Sequence, residues 1–171
     1  MGFSIVKVYR EKLPNLKLIG KRYTDADRVD GMFGAKWSEW FANGWFDTLE
    51  KEIEMLPKEN EGAAYLGFMR VSNGVFEYWI GMFAAENSPV PLNFEYIDIP
   101  AGEIATAWIH GREDNGEIYG GEPHNACVNK FIEKGWQLED AYSFERYQCP
   151  RFTNADKDGK VILDYCIYVK P

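Results

Sequence analysis

The order of elements repeats once along the chain, and this repeat constrains the fold more than any other feature. Each half reads as strand, helix, strand, strand, over about residues 1–88 and 89–171. Two pairs of segments match at offsets of 86 and 87 residues: LPNLKLIGKRY from Leu13 with IPAGEIATAWI from Ile99, and FEYWI from Phe76 with LDYCI from Leu163. We predict one α+β domain of duplicated βαββ units. It has pseudo-twofold symmetry, an antiparallel sheet, one main helix per half and a central ligand cleft.

The first half opens with an alternating segment, about Val6 to Tyr23, which predicts a strand with a break at Pro14. Aromatic residues then recur every four positions, which predicts one helix over residues 33–56. Asn73-Gly74 separates two alternating apolar runs, and this dipeptide favours a tight β-hairpin turn.

The second half repeats this order. Residues 94–111 read as a strand, and residues 120–135 read as a helix that Gly135 ends. Two further strands flank the turn NADKDG. This turn copies the opening of a calcium-binding loop, but Tyr165 stands where such a loop needs a glutamate, so we predict a hairpin turn.

Composition excludes several function classes. A net charge of −8 and a pI near 4.9 are unlike a nucleic-acid-binding surface. Three widely spaced cysteines predict a reducing compartment, and no apolar run has the length of a membrane span. We therefore expect a cytoplasmic protein with no membrane contact and no metal or cofactor. His124 and Cys127 could share a helical face, but no further zinc ligands lie nearby in the sequence.

Aromatic residues make up 16% of the chain, and a single carboxylate lies among them in the stretch SFERYQCPRF. Strand alternation puts Glu145 and Tyr147 on one face and Arg146 on the other. A carboxylate among aromatic neighbours is costly unless something positive meets it. Glu145 could reach solvent, pair with Arg146 or Arg151, or await a ligand, and the residues alone leave these alternatives open.

The duplicated order, the tryptophan-bearing first helix and the glutamate in FERY together resemble the GyrI-like effector-binding family. This domain also forms the C-terminal part of AraC-type and MerR-type activators that sense drugs. The resemblance covers about Val6 to Val169. It implies a central cleft for bulky aromatic, often cationic compounds, which Glu145 contacts. The activators carry a DNA-binding domain ahead of this fold, and nothing similar precedes residue 6 here, so we expect no direct nucleic-acid binding.

The resemblance also implies an aromatic lining, which falls on Trp37, Phe41, Trp108 and Tyr147. Two more candidates come from the residues themselves. Tyr65 holds a place that matches Tyr142 in the other half, and His110 alternates onto the same face as Trp108. The predicted ligand-binding set is therefore Glu145, Tyr147, Trp37, Phe41, Trp108, Tyr65 and His110.

Functions of different classes fit this set. We favour a binding protein that senses or sequesters bulky aromatic, cationic, drug-like compounds and so confers resistance. The alternative is a hydrolase that detoxifies cyclopropane-bearing alkylating compounds, with Glu145 as its catalytic residue. Hydrolysis would be easier with a second acid/base group, for which the candidates are Glu77, Asp164 and His110. Such a group beside Glu145 would favour the enzyme, whereas a wholly aromatic cleft would favour binding. A protein-interaction role without any ligand is a weaker third possibility.

Overall fold

The computed structural model describes residues 2–171, apart from the side chain of Asp140. The chain forms two compact units. The middle unit is Pro14–Ala101, and the terminal unit combines the segment up to Leu13 with Gly102–Pro171. The elements are β1 Ser4–Leu13, β2 Leu16–Tyr23, α1 Gly34–Ala42, α2 Trp45–Glu52, β3 Tyr65–Ser72, β4 Val75–Ala85, β5 Glu95–Ile99, β6 Gly102–Arg112, α3 Gly121–Glu133, β7 Leu138–Tyr147 and β8 Lys160–Val169.

The middle unit is an antiparallel sheet in the order β3-β4-β2-β5. Its two helices bury apolar side chains against one face of this sheet, with Trp40 and Leu49 fully buried. On the sheet side the same cluster contains Ile19, Ile80 and Met82, which are also fully buried. Each large apolar side chain that is buried stabilises the folded state by about 1.5–3 kcal/mol, so this layer holds the helices on the sheet.

The single helix predicted over residues 33–56 is wrong, because the chain forms two helices there. Gly44 lies between them in the left-handed conformation, with φ at 66°. An α-helix cannot continue through such a residue, although the four-residue aromatic spacing does continue across it. The predicted hairpin turn is confirmed, since Asn73 and Gly74 both have positive φ, at 52° and 77°.

The terminal unit is an antiparallel sheet in the order β1-β6-β8-β7, and α3 covers one face. Cys127 and Phe131 of this helix are fully buried. The strand predicted over residues 94–111 is two strands, and β5 pairs with β2 in the middle unit while β6 pairs with β1. Each compact unit therefore takes one edge strand from the other half of the sequence: β1 in the terminal unit and β5 in the middle unit.

The two units repeat the same cross-strand pairs, which supports the predicted duplication. Arg70 faces Glu77 across β3 and β4, and Arg146 faces Asp164 across β7 and β8. Both pairs are ion pairs, with nitrogen–oxygen distances of 2.8 Å and 2.7 Å respectively. The predicted α+β class with antiparallel pairing is confirmed. Within residues 2–171, none of the helices has the length and apolar character to cross a membrane.

Candidate functional site

Glu145 lies on β7 and faces the side of the terminal sheet that α3 covers. Tyr165 of β8 is directly opposite in the register, and Ala107 of β6 follows on the same face. The side chain of Glu145 is only 8% exposed. A carboxylate this deeply buried needs hydrogen-bond partners, because burial in an apolar environment disfavours its charge.

Both oxygens of the Glu145 carboxylate accept hydrogen bonds. His124 Nε2 lies 2.9 Å from Oε2, and the Tyr147 hydroxyl donates to Oε1 over 2.8 Å. The His124 ring stacks on Tyr165, with ring centroids 4.3 Å apart and planes 22° from parallel. We call Glu145, His124, Tyr147 and Tyr165 the Glu145 cluster.

The phenol groups in this region are held in their neutral form. Burial raises the pKa of Tyr165 to about 12, and the charge of Glu145 acts in the same direction. The pKa of the nearby Tyr119 is also raised, mainly by burial and to a smaller extent by the charges of Glu113 and Glu145. These two phenols therefore carry no charge near neutral pH.

Arg146 faces the other side of the terminal sheet and is 2% exposed. Its guanidinium donates to Asp164 Oδ2 over 2.7 Å and to Glu11 Oε2 over 2.8 Å. Arg151 Nε donates to the other oxygen of Asp164 over 2.8 Å. These two arginines are the ones that the sequence offered as surface partners of Glu145, and the structure directs them to Asp164.

Trp108 and His110 do not share the face of Glu145. Trp108 is opposite Asp164 in the register, so its ring lies on the same side as that carboxylate. The indole nitrogen donates to the Tyr9 hydroxyl over 3.1 Å, and the ring has Lys7 Nζ at 4.5 Å and the Arg151 guanidinium at 4.8 Å from its centroid. His110 Nε2 lies 2.9 Å from an Asp156 oxygen. Cations of the chain itself already contact the Trp108 ring.

The candidates Trp37, Phe41 and Tyr65 lie together in the middle unit, around Phe46. Tyr65 stacks on Phe46 with centroids 3.7 Å apart, and Trp37 and Phe41 lie 5.8 Å and 5.5 Å from the same ring. Phe41 is 61% exposed, whereas the Trp37 indole donates to the Tyr78 hydroxyl. We call these four rings the Phe46 surface.

The candidates for a second acid/base group are engaged elsewhere. Asp164 and His110 lie on the opposite face of the terminal sheet, and Glu77 belongs to the middle unit, where Arg70 and Trp79 donate to it. The polar groups that the structure places beside Glu145 are the Tyr147 hydroxyl and the imidazole of His124. The sequence reading missed it as a partner and weighed it only as a zinc ligand. A usable signal existed, because His124 is the polar member of a helical face whose other members, Cys127 and Phe131, are buried.

An open hollow of about 320 Å³ adjoins the cluster. Phe152 lines it and packs edge-on against Tyr147, with ring centroids 4.9 Å apart. Its polar rim includes Arg112, Glu113 and Asp114. Glu145 and the other members of the cluster do not line this hollow, and Phe152 is the residue that connects the two.

No family model and no curated protein matches the sequence. Solved structures do match over nearly the whole chain. A Staphylococcus aureus MU50 protein, provisionally assigned to transcription regulation, aligns at a TM-score of 0.58 with 16% identity, over 96% of this chain and 99% of its own. SAV2435 bound to tetraphenylphosphonium aligns at 0.59 with 18% identity, over 96% and 94%. The EcmrR C-terminal domain aligns at 0.54 with 11% identity, over 96% and 97%. The chain thus has the predicted GyrI-like effector-binding fold.

Proposed function

We propose that this chain binds bulky aromatic cations and that Glu145 supplies the counter-charge. The observation that carries the proposal is a carboxylate 8% exposed whose two oxygens are held by a histidine and a tyrosine, while Arg146 and Arg151 bind Asp164. In its ionised form this carboxylate supplies the negative charge that a lipophilic cation neutralises. It also disfavours anions of the same shape.

Aromatic rings around the carboxylate supply the rest of the binding energy. The Tyr147 ring is half-buried, and Phe152, also half-buried, packs edge-on against it and lines the neighbouring hollow. A cation over an aromatic face gains about 0.5–2 kcal/mol per contact, and more as water is excluded. The Phe46 surface offers exposed aromatic area in the middle unit. The predicted lining by Trp37, Phe41 and Tyr65 stays part of the proposal, as does the predicted central cleft.

The solved structures support the choice of ligand class. SAV2435 has the same fold and is bound to tetraphenylphosphonium, a delocalised aromatic cation. We extend this class to the present chain and infer a role in sensing or sequestering such compounds in the cytoplasm, without direct contact to nucleic acid. The three free cysteines fit a reducing compartment.

Calorimetric titration with tetraphenylphosphonium tests this proposal, and tetraphenylborate serves as an anion of the same shape. We expect saturable binding of the cation and none of the anion. Glu145→Gln should weaken cation binding about 10- to 100-fold, which corresponds to the roughly 1.5–3 kcal/mol of a charged hydrogen-bonding group. Glu133→Gln on α3, where the side chain is 68% exposed, is the matched control and should bind as the wild type does. Equal affinity in the wild type and Glu145→Gln would refute the proposal.

Hydrolysis of a strained electrophilic ring is the second candidate, and His124 is the observation that favours it. A second acid/base group lies 2.9 Å from Glu145, and such a group would make hydrolysis easier. Water would attack a cyclopropane carbon and lose a proton to the Glu145–His124 pair. The broken C–C bond would leave its electron pair on the conjugated fragment, which then takes up a proton. Mass spectrometry would detect a product heavier than the compound by one water molecule. Absence of this product when the protein is present in an amount equal to the compound would exclude this activity.

A further inference from the structure

His124 and Glu145 form a pair whose net charge depends on one proton. The carboxylate oxygen accepts, so Nε2 of the imidazole carries the hydrogen of the 2.9 Å bond in either protonation state of the ring. With a neutral imidazole the pair has a net charge of −1, and with an imidazolium its net charge is zero. The His124 side chain is 18% exposed, so water can exchange this proton.

The other groups packed around His124 do not change charge near neutral pH. Tyr165 stacks on the ring, and burial raises its pKa to about 12. Cys127 follows on the same helix, and burial raises the pKa of its thiol to about 12 as well. Tyr147 donates its phenol hydrogen to Glu145 from β7, and near Glu145 the pKa of Tyr119 is raised by burial and by the charges of Glu113 and Glu145. Histidine is the side chain type that ordinarily titrates between pH 5 and 8.

We infer that His124 sets the ligand charge that the Glu145 site accepts. With a neutral imidazole the site binds aromatic cations. With an imidazolium the carboxylate is already paired, a second cation is repelled, and uncharged aromatic compounds are the preferred ligands. The inference rests on the proposed function and adds a specificity-determining residue to it. Its direct consequence is that cation binding to the protonated state releases the His124 proton.

The test is calorimetry on the full chain between pH 6 and 8, above the range in which carboxylates ordinarily protonate. The probes are tetraphenylphosphonium and the uncharged triphenylphosphine oxide. In the range where the imidazole is protonated, the affinity for the cation should fall by up to about tenfold for each unit by which the pH is lowered. This is the limit for one linked proton. The affinity for the oxide should rise over the same range.

His124→Gln is the decisive variant, because its amide still donates to Glu145 but never gains a charge. It should bind the cation with an affinity that hardly changes with pH. His110→Gln removes the only other histidine in the sequence, which lies on the opposite face, and should keep the wild-type pH dependence. An unchanged pH dependence in His124→Gln, or its loss in His110→Gln instead, overturns the inference.

A measurement on the wild type alone avoids any folding defect in the variants. Repeating the titration at pH 6 in two buffers of different ionisation enthalpy counts the protons released per cation bound. We expect a release of up to about one proton, larger at pH 6 than at pH 8. Binding that depends on Glu145 but releases no proton at any pH leaves the proposed function standing and overturns the role of His124. Absence of cation binding at every pH overturns both.

Discussion

Replacing Asp164 by asparagine should destabilise the terminal unit strongly, because it removes the charge that two arginines share. Asp164 has no exposed area, and it receives Nε of Arg146 over 2.7 Å and Nε of Arg151 over 2.8 Å. After the substitution, the buried Arg146 retains Glu11 as a partner. Breaking a buried ion pair costs about 3–5 kcal/mol. Because the asparagine oxygen still accepts one hydrogen bond, we expect about 3 kcal/mol.

The same kind of change at Glu145 should cost much less. Its partners are His124 and Tyr147, and a glutamine oxygen can still accept from one of them. Tyr147 is half-buried, so its hydroxyl can turn to water. We expect Glu145→Gln to lose about 1 kcal/mol, the net value of a typical hydrogen bond.

Urea unfolding with linear extrapolation measures these differences. Asp98→Asn is the matched control for Asp164→Asn, because Asp98 also binds a cation, Lys17 Nζ at 2.6 Å, but is 68% exposed. An exposed ion pair contributes about 0–1 kcal/mol. If Asp164→Asn cost no more than Asp98→Asn, or no more than Glu145→Gln, the assignment of a structural role to one face and a binding role to the other would fail.

Three further predictions concern single features. Gly44→Ala should cost about 1 kcal/mol in urea unfolding, because alanine is strained at the left-handed φ of 66°, and no loss would contradict the break between α1 and α2. A thiol reagent at pH 8 should modify the exposed Cys149 quickly, whereas the buried Cys127 and Cys166, whose pKa burial raises to about 12, should react only on unfolding. Mass spectrometry counts the labels, and three fast labels would be inconsistent with this burial. Burial would raise the pKa of Glu77, but hydrogen bonds from Trp79 and Arg70 bring it below 4.5 overall, so its contribution to stability is present above about pH 4.5 and is lost as the pH falls further. In Glu77→Gln the free energy of unfolding should therefore fall less steeply as the pH drops below about 4.5. An unchanged slope in this range would count against the interaction of Glu77 with Arg70 and Trp79.

Features set by local sequence were predictable, because their causes lie within a few residues. Asn73-Gly74 specifies its turn through positive φ, and Gly135 has positive φ just past the end of α3 for the same reason. The alternation of β7 likewise put Glu145 with Tyr147 and away from Arg146.

Features that depend on register between elements were not predictable. Trp108 faces away from Glu145 because Ala107, not Trp108, is the residue of β6 in line with Tyr165. A shift of one residue would reverse this, and no pattern within β6 fixes it. The contact between His124 and Glu145 depends in the same way on how α3 lies over the sheet. The break at Gly44 was missed for another reason, since the aromatic spacing continues across it.

The duplication offers a last test of whether the Glu145–His124 pair serves the fold or the ligand. In the middle unit Phe33 stacks on Tyr78 with centroids 4.2 Å apart, as His124 stacks on Tyr165 at 4.3 Å. Tyr78 is opposite Met69 in the register, as Tyr165 is opposite Glu145. The middle unit thus has methionine in the register position that Glu145 holds in the terminal unit, and the ring stacked on its tyrosine is the apolar Phe33, which lies just before α1.

The middle unit therefore packs apolar side chains against its equivalent tyrosine, and we predict that the double variant His124→Phe with Glu145→Met folds. Replacing a buried polar pair by apolar residues of similar volume is often neutral or stabilising by about 1–4 kcal/mol. The variant should match or exceed the wild type in urea unfolding and lose tetraphenylphosphonium binding. A double variant that fails to fold would show that the pair is needed for stability. One that folds and still binds the cation at wild-type affinity would remove the carboxylate from the binding site. Loss of binding in a folded protein is the outcome that assigns the pair to ligand recognition and not to stability, in line with the methionine that the middle unit has in the register position of Glu145.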